Sequence, residues 1–169
     1  SFWSLGPAYA SAASGSIRDA ALFMSAAVLG GAVLQWPAGK FSDSMDRRQV
    51  LIGLALFSIV AGGALVVLPY ATWPWLAIGF AFGAGLLPCY AIAAAHIFDF
   101  ADRADYVEVS AGLLLINGIG STVGPLVASL SFELLGPAGI FVTNGLVFAI
   151  LVVFVPVRLP RREGLPEEE

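Results

Sequence analysis

Apolar runs near 20 residues long, broken by short polar stretches, set the pattern of this chain. Each run is long enough for a helix to cross a hydrocarbon core about 30 Å thick. Spanning helices are expected over about 19–41, 50–68, 73–98, 107–135 and 140–157, followed by a tail at 158–169. The run at 1–13 would reach only ~18 Å as a helix, so it reads as the second half of a spanning helix, and the chain as a fragment. The breaks carry helix punctuation. Ser11 to Ser16 is small and polar, with either Ser16 or Asp19 as the cap of the next helix. The third run stops at Pro69-Tyr70-Ala71-Thr72-Trp73-Pro74, whose aromatics suit a membrane interface. Pro88 is a kink position within the fourth run, and Gly136-Pro137 closes the fifth.

The runs differ in kind when mapped at about 100° per residue. Segments three and six are mostly Leu, Val, Ile, Phe and Ala around the whole circumference, as outer, lipid-facing helices should be. Segment two places Ala27, Gly31, Gln35, Ala38 and Ser42 on one face, with Trp36 opposite. Segment four aligns Gly79, Gly83, Tyr90 and Ala94. Segment five carries Ser110, Asn117, Gly120, Ser121, Gly124, Ala128 and Ser131, with Glu133 on its far side. Three faces unfit for lipid imply a shared interior, either a tight helix contact or a polar cavity.

Composition agrees with that pattern. Hydrophobic residues make up 59% and charged residues 12% of the chain, and mean hydropathy is +0.88. A soluble domain of this length needs roughly twice that charge, so the fold class is all-α integral membrane protein. Cys89 is the single cysteine, which excludes an intrachain disulfide and a thiolate metal set. It reads as a small buried hydrophobe. No cofactor, metal or nucleic-acid partner is expected, and no cleavable signal peptide is read.

Charge fixes orientation. With the 43–48 turn, the 99–105 loop and the tail on one side, that side holds Lys40, Arg47, Arg48, Arg103, Arg158, Arg161 and Arg162; the other holds Arg18. The bias places the turn and the C-terminus in the cytoplasm.

The turn itself carries the chief motif: Gly39, Asp43, Ser44, Asp46, Arg47 and Arg48. It resembles the signature loop of the major facilitator superfamily, which joins the second and third helices of each six-helix half. That signature reads Gly, three residues, Asp, a basic residue, any residue, Gly, then two basic residues. Ser44 replaces the usual base and Asp46 the second glycine, a degeneracy common in the C-terminal copy. Gln35-Trp36-Pro37-Ala38-Gly39-Lys40-Phe41-Ser42-Asp43, Ala95-His96 with Asp99, Leu113-Leu114-Leu115, Gly118-Ile119-Gly120 and Gly124-Pro125-Leu126 are similar to a largely uncharacterised bacterial group of facilitators. The resemblance covers nearly the whole chain. It implies one half of a twelve-helix fold, with segments one, two, four and five facing a cavity. It also implies a bacterial inner-membrane location and three partners: the lipid bilayer, the N-terminal half of the same transporter, and a small solute moved by alternating access. A non-transporting sensor or scaffold on the same fold is the alternative. No paired acid, histidine or cysteine set at one depth supports an intramembrane enzyme.

Candidate roles follow. The Asp43 carboxylate can sit against the positive end of a neighbouring helix; in facilitators that is the start of the fifth helix, here Val107 to Ser110, forming a conformational latch. Gly39, Arg47 and Arg48 complete the latch loop, and the arginines alternatively serve only to set topology. Gln35, Tyr90 and Asn117 lie near mid-membrane on small-residue stripes, as substrate-cavity residues or as interhelical hydrogen-bonding groups. His96 and Asp99, near the cytoplasmic end of segment four, are read as a proton relay or as interfacial residues. Gly118-Ile119-Gly120-Ser121-Thr122-Val123-Gly124 superficially has dinucleotide-loop spacing, but no strand precedes it and the run is apolar, so helix packing is expected.

Overall fold

Capping chemistry explains where each helix starts and stops. A computed structural model of the chain describes residues 1–158. α1 (Phe2–Ser14) ends at Gly15, which adopts φ 67°, a left-handed conformation that costs glycine little. α2 (Ile17–Ser44) is capped by Ser16, whose hydroxyl accepts from the Asp19 amide at 3.3 Å. Asp19 therefore is not the cap. Its carboxylate accepts from the Tyr70 hydroxyl at 2.8 Å instead.

α3 (Arg47–Val67) begins with Asp46 as its cap, the Oδ1 atom accepting from the Arg48 amide at 3.0 Å. α4 (Thr72–Phe98) runs on through Pro88, and a short 3-10 turn (Arg103–Asp105) leads into α5 (Tyr106–Leu135) and α6 (Gly139–Arg158). Every element among the described residues is helical. The 43–48 stretch expected as a loop is mostly two helix ends, with Met45 and Asp46 between them. The tail beyond Arg158, with Arg161 and Arg162, lies outside the described residues.

Four of these helices, α2 to α5, are long and apolar enough to cross a bilayer, and the shorter stretch Gly139–Val155 is apolar too. The closest pair is α2 and α4. Their backbones meet at two glycines: a Cβ on Gly30 would stand 2.7 Å from the Phe80 carbonyl carbon, and one on Gly83 2.6 Å from that of Ala27. Glycine is required at both points because there is no room for a side-chain atom.

Two apolar cores flank this seam. Toward the 15–16 turn, Phe23 stacks on Trp75 with centroids 4.2 Å apart, and Tyr9 meets Phe141 edge-on at 4.6 Å. Trp75 Nε1 donates to the Tyr9 hydroxyl at 3.2 Å, and that hydroxyl donates to the Leu65 carbonyl at 2.9 Å. The knot ties α1, α3, α4 and α6 together. Toward the 45–46 turn, the second core is smaller: Ala38, Leu51, Leu54, Ala55, Cys89, Ile92 and Phe148.

Two expectations about faces need correction. α3 is not lipid-facing all round: Leu51, Leu54, Ala55, Ser58, Ala61, Gly62 and Leu65 form a buried stripe against α4 and α6. Uniform apolarity hid this, since burial follows shape when every side is greasy. Conversely, α5 buries only Ala128. Its small-residue stripe packs against α6 at one end, where the Thr143 hydroxyl donates to Ser131 Oγ at 2.7 Å, and is open elsewhere.

Candidate functional site

The Asp46 cap sets Arg47 on the first turn of α3, directly beneath the ends of α2 and α4. Arg47 Nε contacts Asp99 Oδ2 at 2.7 Å, and a terminal nitrogen reaches Asp43 Oδ1 at 3.3 Å. One guanidinium thus ties together three helix ends. Its side chain is 23% exposed, against 45% for Asp99 and 71% for Asp43. The Asp99 contact is the shorter and better shielded of the two, so it dominates; the Asp43 contact faces water and is weak.

These residues border a cleft of about 340 Å³ that also reaches Ser42, Asp46 and His96. Ser42 is 2% exposed, and neither its hydroxyl nor His96 Nε2 has a hydrogen-bond partner among the described residues. The His96 ring instead packs edge-on against Phe100 at 5.1 Å.

This arrangement departs from the sequence reading in two ways. The partner of Asp43 is Arg47, not the first turn of α5, where Val107 is 80% exposed. A whole guanidinium charge one turn away outweighs the half-charge of a helix terminus. Second, no hydrogen bond joins His96 to Asp99 among the described residues, because Asp99 turns to Arg47. The two line the same cleft without a direct hydrogen bond.

Sequence reasoning also missed the bridging role of Arg47 and the cap at Asp46. The cap had a readable signal: Asp46, with Gln49 three residues on, directly before an apolar run, is a helix-start signature. Ser44, the other departure from the motif, donates to the Phe41 carbonyl at 3.1 Å and closes the last turn of α2. The bridge had no such signal, since Arg47 and Asp99 are 52 positions apart (99 − 47).

The mid-span candidates stand apart from that cluster. Gln35, Tyr90 and Asn117 are all exposed, Tyr90 by 51%. Gln35 does not enter the α2–α4 interface: Ala27, Gly31, Ala38 and Ser42 are buried there, while Gln35 lies on the flank of that face, about 80° round from Ala27 at 100° per residue. On α4 the same split occurs. Gly79 and Gly83 pack against α2, while Tyr90 two turns on is free of the seam. α5 touches α1, α4 and α6 but not α2, leaving Asn117 on an open surface. The Gly118–Gly124 run is helical throughout, and Thr122 donates to the Gly118 carbonyl within it at 3.0 Å. It is not a nucleotide loop.

Among the described residues, six α-helices carry a charged clamp at one end and exposed polar groups along apolar spans, the build of a membrane-embedded helical body. A sequence model of the Major Facilitator Superfamily matches residues 1–169. The chain belongs to that superfamily and is a multi-pass membrane protein. It is 27% identical over 167 residues to an uncharacterized MFS-type transporter of Yersinia pestis, covering 98% of this chain and 42% of the relative. A Yersinia enterocolitica relative, likewise named an uncharacterized MFS-type transporter, is 27% identical over 166 residues, with the same coverages of 98% and 42%. The uncharacterized MFS-type transporter YcaD of Salmonella arizonae is 30% identical over 105 residues, 62% of this chain and 25% of that protein. The chain thus spans about two fifths of the length of the Yersinia relatives. No solved structure matches. Superfamily membership points to transport rather than catalysis.

Proposed function

We propose that this chain is the C-terminal six-helix half of a bacterial inner-membrane secondary transporter that moves a small solute by alternating access, with its C-terminus cytoplasmic. The observation that carries this reading is the clamp of Arg47 on Asp43 and Asp99. It ties α2, α3 and α4 at the end where the basic residues gather. A half that rocks as a body needs its helix ends held together on the side that opens and closes. Asp43, the exposed arm of the clamp, is the element free to exchange Arg47 for a contact on the other half. Asp99, the shielded arm, keeps Arg47 in place meanwhile.

In this reading Gln35, Tyr90 and Asn117 line the path of the solute, with the N-terminal half forming its opposite wall. Exposed polar side chains on spanning helices are costly in lipid and tolerable against a water-filled cavity. Gly39 supports the same geometry. A Cβ there meets nothing within 4 Å, so the space it leaves serves a neighbour outside these six helices.

The test is solute flux. The full-length protein is purified, solutes that raise its unfolding temperature are identified, and uptake of each is measured in liposomes. Flux of at least one stabilising solute is expected. Stabilisation without flux for every such solute would make the protein a sensor or scaffold instead.

A further inference from the structure

Lining the gap between α2 and α3, next to the 45–46 turn, is an apolar groove of about 310 Å³. Leu34 and Phe41 form one wall, Val50 and Leu54 the other, and Gly53 the floor; Gln49 is the single polar side chain on it. A Cβ at Gly53 would meet nothing within 4 Å. The groove reaches from Met45 to Leu34 along α2, about 16 Å of helix axis and so about one leaflet deep.

A second hollow of about 320 Å³ adjoins it, sharing Pro37 and Phe41 and bringing in Trp36, Lys40 and Ser44. Lys40 Nζ lies 5.6 Å from the centre of the Trp36 ring, a cation held at the depth where amphipathic side chains meet lipid headgroups. We infer that the two hollows together are a binding site for one anionic phospholipid of the leaflet on the side of the turn. An acyl chain lies along the groove, and the phosphate meets the Lys40 ammonium. Charge decides the headgroup: a cation beside an apolar slot selects a lipid of net negative charge over a zwitterionic one. The site meets the clamp cleft at Met45 alone, and Asp43, Arg47 and Asp99 do not line it, so the inference goes beyond the transport reading.

Retained lipid tests it without reference to transport. The full-length protein is solubilised from membranes containing equal phosphatidylglycerol and phosphatidylethanolamine, and bound lipids are counted by native mass spectrometry. Wild type should keep one phosphatidylglycerol in preference. Gly53→Phe, whose Cβ enters open space and whose ring occupies the groove, should lose that lipid at least tenfold. Gly63→Phe, also on α3 and with an equally open Cβ, should keep it. Lys40→Ala should retain lipid but lose the preference for phosphatidylglycerol. Equal retention by Gly53→Phe and Gly63→Phe, an unchanged preference in Lys40→Ala, or no retained lipid in wild type because the other half covers the groove would each overturn the proposal.

Discussion

Replacing Gly83 with alanine tests whether α2 and α4 really form the spine of this body. The added Cβ would lie 2.6 Å from the Ala27 carbonyl carbon, whereas ordinary van der Waals contact begins at 3.4 Å. The obstacle is backbone, which cannot rotate away as a side-chain tip can. The Ala27 carbonyl oxygen lies nearer still, so the helices must part locally by more than about 1 Å, and the opposing contact of Gly30 with Phe80 opens with them. Overpacking of this kind costs about 1–3 kcal/mol, and the upper end is expected because the strain falls on two main chains. Gly63→Ala is the matched control: its Cβ meets nothing within 4 Å, so it should change stability by no more than about 0.5 kcal/mol. Scanning fluorimetry of the full-length protein in detergent reads both. Equal unfolding temperatures for Gly83→Ala and Gly63→Ala would refute the close backbone contact.

Other expectations concern the clamp, the cap and the knot. Gly39→Leu should insert and stay folded yet lose most transport, if its empty space serves the other half; unimpaired uptake would refute that. Asp46→Ala removes the α3 cap and should cost about 1 kcal/mol of stability, while Asp46→Asn should be close to neutral; similar losses in both would assign the effect to charge. Tyr9→Phe deletes the hydroxyl that links Trp75 to the Leu65 carbonyl and should destabilise by about 1 kcal/mol, read as a lowered unfolding temperature. Asp43→Asn should slow transport without loss of insertion, and Arg47→Gln should slow it more, because Arg47 also holds Asp99. Equal rates in all three proteins would remove the clamp from the mechanism.

Helices and their order were legible because a bilayer demands long apolar runs and the breaks carry caps and glycines. Side-chain placement was legible only where periodicity had contrast. On α2 the small residues Ala27, Gly31, Ala38 and Ser42 stood out and are buried together; Gln35, on the edge of that face, was drawn in by the same pattern and lies outside it. On α3 every side is apolar, so nothing in the sequence marked Leu51, Ala55, Ser58 and Gly62 as the packed stripe. The polar cluster was half visible. Asp43, Arg47 and Asp99 were each singled out, but their grouping depends on α4 returning beside the α2–α3 turn, a tertiary fact that no local spacing encodes.

Alternating access requires that the two faces of the membrane reach the same interior in turn. Asn117→Cys, in a full-length protein otherwise free of cysteine and reconstituted in one orientation, tests it with a membrane-impermeant thiol reagent applied to either side. Labelling from both faces is expected, with a bound solute shifting the ratio between them. Labelling from one face alone, or none from either, would contradict it.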